Sequence, residues 1–139
     1  MKQQTLTIAS RTEQLRAVRE FVSTAAREFG FGDEEVSKIA LAVDEACTNV
    51  IKHAYRYDPK GSITVVVRGR NGSFEVAIQD RGKDFDPDAV PSPDMKEYLA
   101  HFRRGGLGMH LMRSLMDRVE YSIQPGKRNE VRLIKFLHR

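Results

Sequence analysis

The spacing of apolar residues changes along the chain, from every second position to every third or fourth and back again. Thr5–Ala9 alternates, which predicts a short edge strand. The helical spacing that follows predicts a first helix ending at Gly30, because glycine takes the left-handed C-terminal conformation at little cost. Ser10 and Glu13 match a capping box at the start of that helix.

A second apolar stripe, at about 100° per residue, predicts a helix from Glu34 to about Tyr55, with Asp33 as its cap. Glu45 and Asn49 lie on the opposite, polar side, about 40° apart on the helical wheel. Taken alone, such a pair is most simply a solvent-facing surface. A functional role for this pair is indicated only when it is considered together with the motifs that follow it in the chain.

The rest of the chain divides into turns, strands and one glycine-led helix. In the turn Asp58–Gly61, proline fixes φ and glycine is expected to supply a positive φ. The further elements are the hairpin Ile63–Arg68 and Phe74–Gln79, a helix led by Gly105–Gly108 and running to about Asp117, and the strands Val119–Ile123 and Val131–Leu137, joined by the turn Gln124–Lys127. This order predicts an α+β two-layer sandwich, with helices on one face of a mixed, mostly antiparallel sheet.

Composition favours a soluble globular chain, with residues 1–139 forming a single domain. No apolar run approaches the roughly 20 residues of a membrane-spanning helix, and residues 1–10 lack the apolar core of a signal peptide. The one cysteine, Cys47, falls on the apolar side of its helix, which predicts a buried thiol and a cytoplasmic setting.

The net charge of +4 is unevenly distributed. Residues 1–99 carry 14 Lys and Arg against 16 Asp and Glu, whereas residues 100–139 carry 9 against 3. A basic third of this kind suits nucleic acid, an acidic partner or a polyphosphate, but charge alone favours a plain solvated surface. Because aromatic residues do not alternate with the basic ones, nucleic acid is not the first choice of partner.

Three short motifs carry candidate chemistry: DEACTNVIKHAY at 44–55, DRGKDFDP at 80–87 and RRGGLGMHLM at 103–112. Glycines before a helix let backbone N–H groups approach phosphate oxygens, and the helix dipole favours the negative charge. The glycine run lacks the Lys-Ser/Thr of a P-loop, and no strand leads directly into it, which disfavours both the P-loop and the dinucleotide folds. Residues 88–104 form a connection long enough to predict a functional loop.

In their order and spacing, the three motifs resemble the boxes of the GHKL (Bergerat-fold) ATPases, over nearly the whole chain. DEACTNVIKHAY and the Asp-Phe-Asp-Pro ending are especially similar to the bacterial anti-sigma-factor serine kinases of sporulation and general stress. The resemblance implies the Bergerat fold, with ATP and Mg²⁺ as cofactors and residues 88–104 as an ATP lid. Asp84 stands where many members have a second glycine.

The resemblance also assigns roles to single residues. Glu45 would be the catalytic base, Asn49 the Mg²⁺ ligand, and Asp80 the acceptor for the adenine amino group, beside Gly82. The further nucleotide-binding positions that it implies are Lys52, His53, Phe85, Arg104, Gly105, Gly106, Leu107, Gly108 and Met109.

The function implied is that of an anti-sigma factor with ATP-dependent protein serine/threonine kinase activity. It would bind a sigma factor and phosphorylate a STAS-domain anti-anti-sigma factor in a partner-switching system, as a homodimer and without contacting nucleic acid or membrane. The alternative is a docking module that binds ATP or ADP without kinase turnover. A basic nucleic-acid-binding domain is the third and least favoured hypothesis.

Overall fold

The computed structural model of the chain describes residues 1–81, 107–124 and 128–138. Short connections link most of the described strands and helices. In chain order these are β1 Gln4–Ala9, a 3₁₀ turn Thr12–Gln14, α1 Leu15–Phe29, α2 Asp33–Asn49, a π-helical turn Val50–Ala54, β2 Ser62–Arg70, β3 Ser73–Asp80, α3 Leu107–Leu115, β4 Arg118–Gln124 and β5 Arg128–Phe136.

The five strands form one sheet in the order β1-β2-β3-β5-β4, and each of the four pairings is antiparallel. β1 lies at an edge, as predicted, and β5 is inserted between β3 and β4. The predicted α+β class and the predicted order of elements are confirmed. The sheet is antiparallel at every pairing described, so it is more uniform than the mixed sheet that we expected.

The core lies between the helices and one face of the sheet. Alternate residues of the central strands point to this face, as the two-residue repeat of a strand requires. Those that are almost fully buried are Ile63, Val65, Val67, Phe74, Val76, Ile78, Val131 and Leu133. They pack with the apolar stripes of α1 and α2 in one cluster. The helical stripes read from the sequence are therefore the faces that cover the sheet.

The start of α1 differs from the prediction. The Ser10 backbone N–H donates to the carbonyl of Gly61 at 2.8 Å, which prolongs the β1–β2 pairing by one residue. The chain enters the helix only afterwards, through the 3₁₀ turn Thr12–Gln14, without a side-chain cap. The predicted capping box of Ser10 and Glu13 is therefore wrong, because Ser10 is held to the strand.

Two other turn predictions need correction. Gly32 precedes α2, and Asp33 is the first helical residue instead of the cap. The turn after α2 forms as predicted, but its positive φ angles fall on Arg56 (48°) and Tyr57 (64°) and not on Gly61. Gly61 is needed for space, since a Cβ there would lie 2.5 Å from the Tyr55 ring.

The hairpin between β2 and β3 is tighter than predicted. Asn71 and Gly72 both take positive φ, 51° and 77°. Two such residues form the mirror-image turn whose twist matches that of antiparallel strands. The strands consequently extend to Arg70 and begin again at Ser73.

Candidate functional site

The first predicted motif lies on α2, which packs against α1, β3, β5 and α3. Glu45 is half-buried, and Asn49, one turn later, is only 4% exposed. The Asn49 Nδ2 atom is buried without a hydrogen-bond partner among the residues described. Buried amides are almost always paired, so an amide left unpaired within the described part of the chain marks Asn49 as a candidate ligand-binding residue. The solvent-facing reading of the pair does not hold for Asn49.

Directly after Asn49 the helix widens into a π-helical turn. The Tyr55 N–H donates to the carbonyl of Val50, five residues earlier, at 3.0 Å. Such turns are uncommon and occur frequently at functional sites. This turn carries two of the predicted residues, an exposed Lys52 and a half-buried His53. Nothing in the apolar spacing marks the change of helix type.

Asp80 ends β3 on the face of the sheet that the helices cover, and only 3% of it is exposed. Its register partner on β5 is Asn129, which is fully buried and donates from Nδ2 to Asp80 Oδ1 at 3.1 Å. A buried carboxylate is costly unless it is hydrogen-bonded, and this donor both offsets that cost and fixes the plane of the carboxylate. Sequence reasoning missed Asn129, because its partner lies far away along the chain.

Tyr55 connects the two parts of the site. Its hydroxyl donates to the carbonyl of Ser62 at 2.6 Å and accepts from the backbone N–H of Arg81 at 3.1 Å. The end of the α2 motif is thereby tied to the start of β2 and to the residue that follows Asp80. The sequence analysis placed Tyr55 at the end of the predicted helix and of the first motif, without this role.

The third predicted part is described in outline. α3 begins at Leu107, so the glycine run leads into a helix as predicted, with Gly108 inside the first turn. Gly82, Asp84, Phe85, Arg104, Gly105, Gly106, the predicted lid at 88–104 and the centre of the turn Gln124–Lys127 lie outside the described residues. The structure therefore brings together α2, the Asp80 end of β3 and the backbone of α3.

Cys47 lies between Glu45 and Asn49 in sequence but on the apolar side of α2. It is completely buried, and burial raises the pKa of its thiol to about 12, with the nearby charge of Asp44 acting in the same direction. The thiol is thus a neutral, small apolar group in the core, as predicted.

The donor set of α2 suits a cation held largely by a ligand. No group of three or more His, Cys, Asp or Glu able to hold a metal ion occurs in the described ranges. Mg²⁺ commonly takes one or two protein oxygens and completes its shell with phosphate and water. The buried side-chain amide of Asn49, with its carbonyl oxygen, fits that requirement.

A surface cleft of about 320 Å³ lies elsewhere. It is lined by Ser10, Arg11, Thr12, Glu13, Ile51, Tyr57 and Pro59, and none of the predicted site residues is among them. Within the described part of the chain, no helix has both the length and the apolar character needed to cross a bilayer.

The two-layer fold, with polar side chains on α2 and at the end of β3, is of the ATPase-domain type. A family model for the histidine kinase-like ATPase domain matches residues 8–135, and the chain belongs to this family. ATP use follows from that membership.

The chain is similar to bacterial proteins named serine-protein kinase RsbW. One from Halalkalibacterium halodurans is 33% identical over 96% of this chain and 83% of the relative, and one from Bacillus velezensis is 32% identical over 94% and 83%. The crystal structure of the RsbU and RsbW domains of a Mycobacterium tuberculosis protein matches all of this chain with a TM-score of 0.71 at 19% identity. This chain spans 33% of that longer one, and the likeness shows the fold.

Proposed function

We propose that the chain is an ATP- and Mg²⁺-dependent protein serine/threonine kinase that is also an anti-sigma factor. The similar proteins are named serine-protein kinases and align over most of their length. The observation that carries the proposal is Asn49. It is a buried amide, one turn from a half-buried carboxylate, and its Nδ2 atom has no partner within the described ranges. Such an arrangement suits a bound phosphate–metal group.

Each residue of α2 has a distinct task in this proposal. Asn49 offers its carbonyl oxygen to Mg²⁺, and the Glu45 carboxylate accepts the proton of an incoming serine or threonine hydroxyl, or orients it. Residues four apart on a helix face the same side, which the two tasks require. With ATP and Mg²⁺ bound, the site supplies a phosphoryl group whose transfer depends mainly on positioning and charge neutralisation.

The base and phosphate ends of the nucleotide are assigned to separate elements. Asp80 accepts the adenine amino proton beside Gly82 and Phe85, while the N-terminal end of α3 holds the phosphates through backbone N–H groups. The further nucleotide-binding positions are Lys52, His53, Arg104, Gly105, Gly106, Leu107, Gly108 and Met109. Residues 88–104 are the lid of a single domain that spans residues 1–139.

The partners that we propose are a sigma factor and a STAS-domain anti-anti-sigma factor. The chain, as a homodimer, binds and sequesters the sigma factor. It phosphorylates the anti-anti-sigma factor, which then no longer binds the kinase. Sigma factors act on RNA polymerase inside the cell, so the cytoplasm is the proposed setting.

The test is transfer of phosphate from ATP to a purified STAS-domain partner by Glu45→Ala. A lost general base lowers the transfer rate by about 10²- to 10⁴-fold, whereas ATP affinity stays close to that of the wild type. Glu34→Ala, an exposed carboxylate at the start of the same helix, is the matched control and should retain the full rate. Wild-type transfer by Glu45→Ala would remove Glu45 from the proposed mechanism. ATP binding by the wild type without transfer to any STAS partner would favour the docking module.

A further inference from the structure

The side chain of Lys135 is largely buried. Lys135 is on β5, on the same face as Leu133, and is 8% exposed. Its Nζ donates to the backbone carbonyl of Leu115 at 2.9 Å and lies 3.0 Å from Glu35 Oε2. A buried ammonium is costly unless it is paired, and here both contacts satisfy it.

Both contacts lie at helix ends. Leu115 is the last residue of α3, where carbonyl groups lack partners within the helix and a cation is favoured. Glu35 is in the first turn of α2, where an anion is favoured, and a second lysine, Lys38, contacts it at 3.3 Å. One side chain of β5 thus joins the end of α3 to the start of α2.

Other contacts hold the same end of α3 in place. The Asp117 N–H donates to the Ile134 carbonyl at 2.9 Å, and the Phe136 N–H donates to Asp117 Oδ2 at 2.7 Å. Met112, in α3, and Met116, directly after it, are buried in the core. Because α3 is only about 14 Å long at 1.5 Å per residue, fixing this end determines where the other end lies.

We propose that Lys135 is a positioning residue for the phosphate-binding end of the nucleotide site, acting through α3. The inference rests on the proposed function, since it is the N-terminal end of α3, at Leu107 and Gly108, that is assigned to the phosphates. β5 also carries Asn129, six residues before Lys135, which holds Asp80. One strand, over about 20 Å, therefore sets the positions of both the base-binding carboxylate and the phosphate-binding helix.

The experiment compares ATP and adenosine binding by calorimetry in Lys135→Met, which keeps the volume and removes the cation. Loss of a charge-assisted hydrogen bond to α3 should weaken ATP binding about tenfold, while adenosine, which lacks phosphates, binds within about twofold of wild type. Lys135→Arg, which keeps the charge, should restore the ATP affinity. Lys38→Met is the matched control, because Lys38 also contacts Glu35, and its ion pairs within the described ranges are with Glu34 and Glu35, both on α2.

A purely structural lysine would weaken ATP and adenosine binding equally, and that result would overturn the proposal. Hydrogen exchange without nucleotide gives a second measurement: the α3 amides should exchange faster in Lys135→Met than in Lys38→Met. If the wild type binds no adenine nucleotide, the proposed function fails, and unchanged exchange in α3 would then also overturn the role of Lys135.

If Lys135→Met does not fold, Glu35→Gln should shift the ratio of ATP to adenosine affinity in the same direction by a smaller factor. An unchanged ratio in that variant would overturn the proposal.

Discussion

The buried pair of Asp80 and Asn129 shows how one amide can prepare a carboxylate for recognition. An ionised carboxylate only accepts hydrogen bonds, and the Asn129 Nδ2 donates to one of its two oxygens at 3.1 Å. The carboxylate plane is then fixed before any ligand arrives. A site whose acceptor is preoriented loses less conformational entropy on binding.

This geometry predicts the effect of Asp80→Asn on nucleotide affinity. The new amide would face the Asn129 amide and would have to turn either a donor or an acceptor towards the base. We expect ATP affinity to fall at least about tenfold, the typical consequence of losing a hydrogen bond to a charged acceptor. Calorimetric titration with ATP measures the change.

The control for that variant is Asp44→Asn, which removes a carboxylate that pairs with Arg19 of α1 at 2.7 Å. It should leave ATP affinity close to that of the wild type. GTP should bind poorly to the wild type, because guanine presents a carbonyl where adenine presents its amino group. Unaltered ATP affinity in Asp80→Asn would contradict the assignment of Asp80.

At the scale of elements, the periodic parts of the fold could be predicted and the contacts between distant parts could not. The apolar stripe of α2 correctly predicted which face of the helix is buried against the sheet, since buried positions recur with the local helical repeat. The Asp80–Asn129 pair depends on β5 entering the sheet beside β3, which no local pattern reports. Lys135 was missed for the same reason, because its partners come from two helices.

Local signals also failed where the tertiary structure overrode them. Ser10 has the sequence of a helix cap but is held by the backbone of Gly61. The π-helical turn after Asn49 has no sequence signal, although it sets the direction of Lys52 and His53. For the candidate site, the motifs pointed to Glu45, Asn49 and Asp80, whereas Asn129, which holds Asp80 in place, came only from the structure.

The first turn of α2 predicts a dependence of stability on pH. The hydrogen bond from Lys135 is the main cause that holds the pKa of Glu35 below its ordinary value of 4.5, and burial, the next largest effect, opposes it. The charge of Lys135, and the hydrogen bond and charge of Lys38, lower this pKa further. A carboxyl whose folded-state pKa is depressed stabilises the fold above its unfolded pKa, and the effect is lost as the pH falls through the folded value.

We therefore expect Glu35→Gln to melt at a lower temperature than the wild type at neutral pH, with the difference shrinking below about pH 4.5. Thermal unfolding followed by circular dichroism across this range measures it. Glu34→Gln, which removes the neighbouring, largely exposed carboxylate, controls for a general change in charge. A difference between the wild type and Glu35→Gln that stays constant down to the lowest pH would refute this account.

For the whole molecule, the open face of the sheet explains part of the basic C-terminal third. Arg132 contacts Glu120 at 2.6 Å, Arg118 contacts the same carboxylate at 3.1 Å, and Arg128 lies 3.8 Å from Glu130. Such exposed pairs add little to stability, but they neutralise positive charge locally. These arginines consequently do not form an open basic surface, which disfavours the nucleic-acid hypothesis.

The last prediction concerns the molecule as a folded unit that binds ATP. The candidate site draws on α2, β3, β5 and α3, so only the folded chain can bind the nucleotide as proposed. A ligand that binds the folded state alone stabilises it by about 2.7 kcal/mol at about 100 times its Kd. For a chain of this length that corresponds to a rise in melting temperature of about 10 °C.

Because Asn49 would hold the Mg²⁺ that accompanies the phosphates in the proposed site, the rise should be much smaller when the metal is removed with a chelator. It should be at most about half as large in Asp80→Asn, because a tenfold loss of affinity leaves ATP at only about ten times its Kd. Thermal unfolding with ATP, with and without Mg²⁺, measures all three cases, and a wild-type protein whose melting temperature ignores ATP would show that the three motifs do not form a nucleotide site.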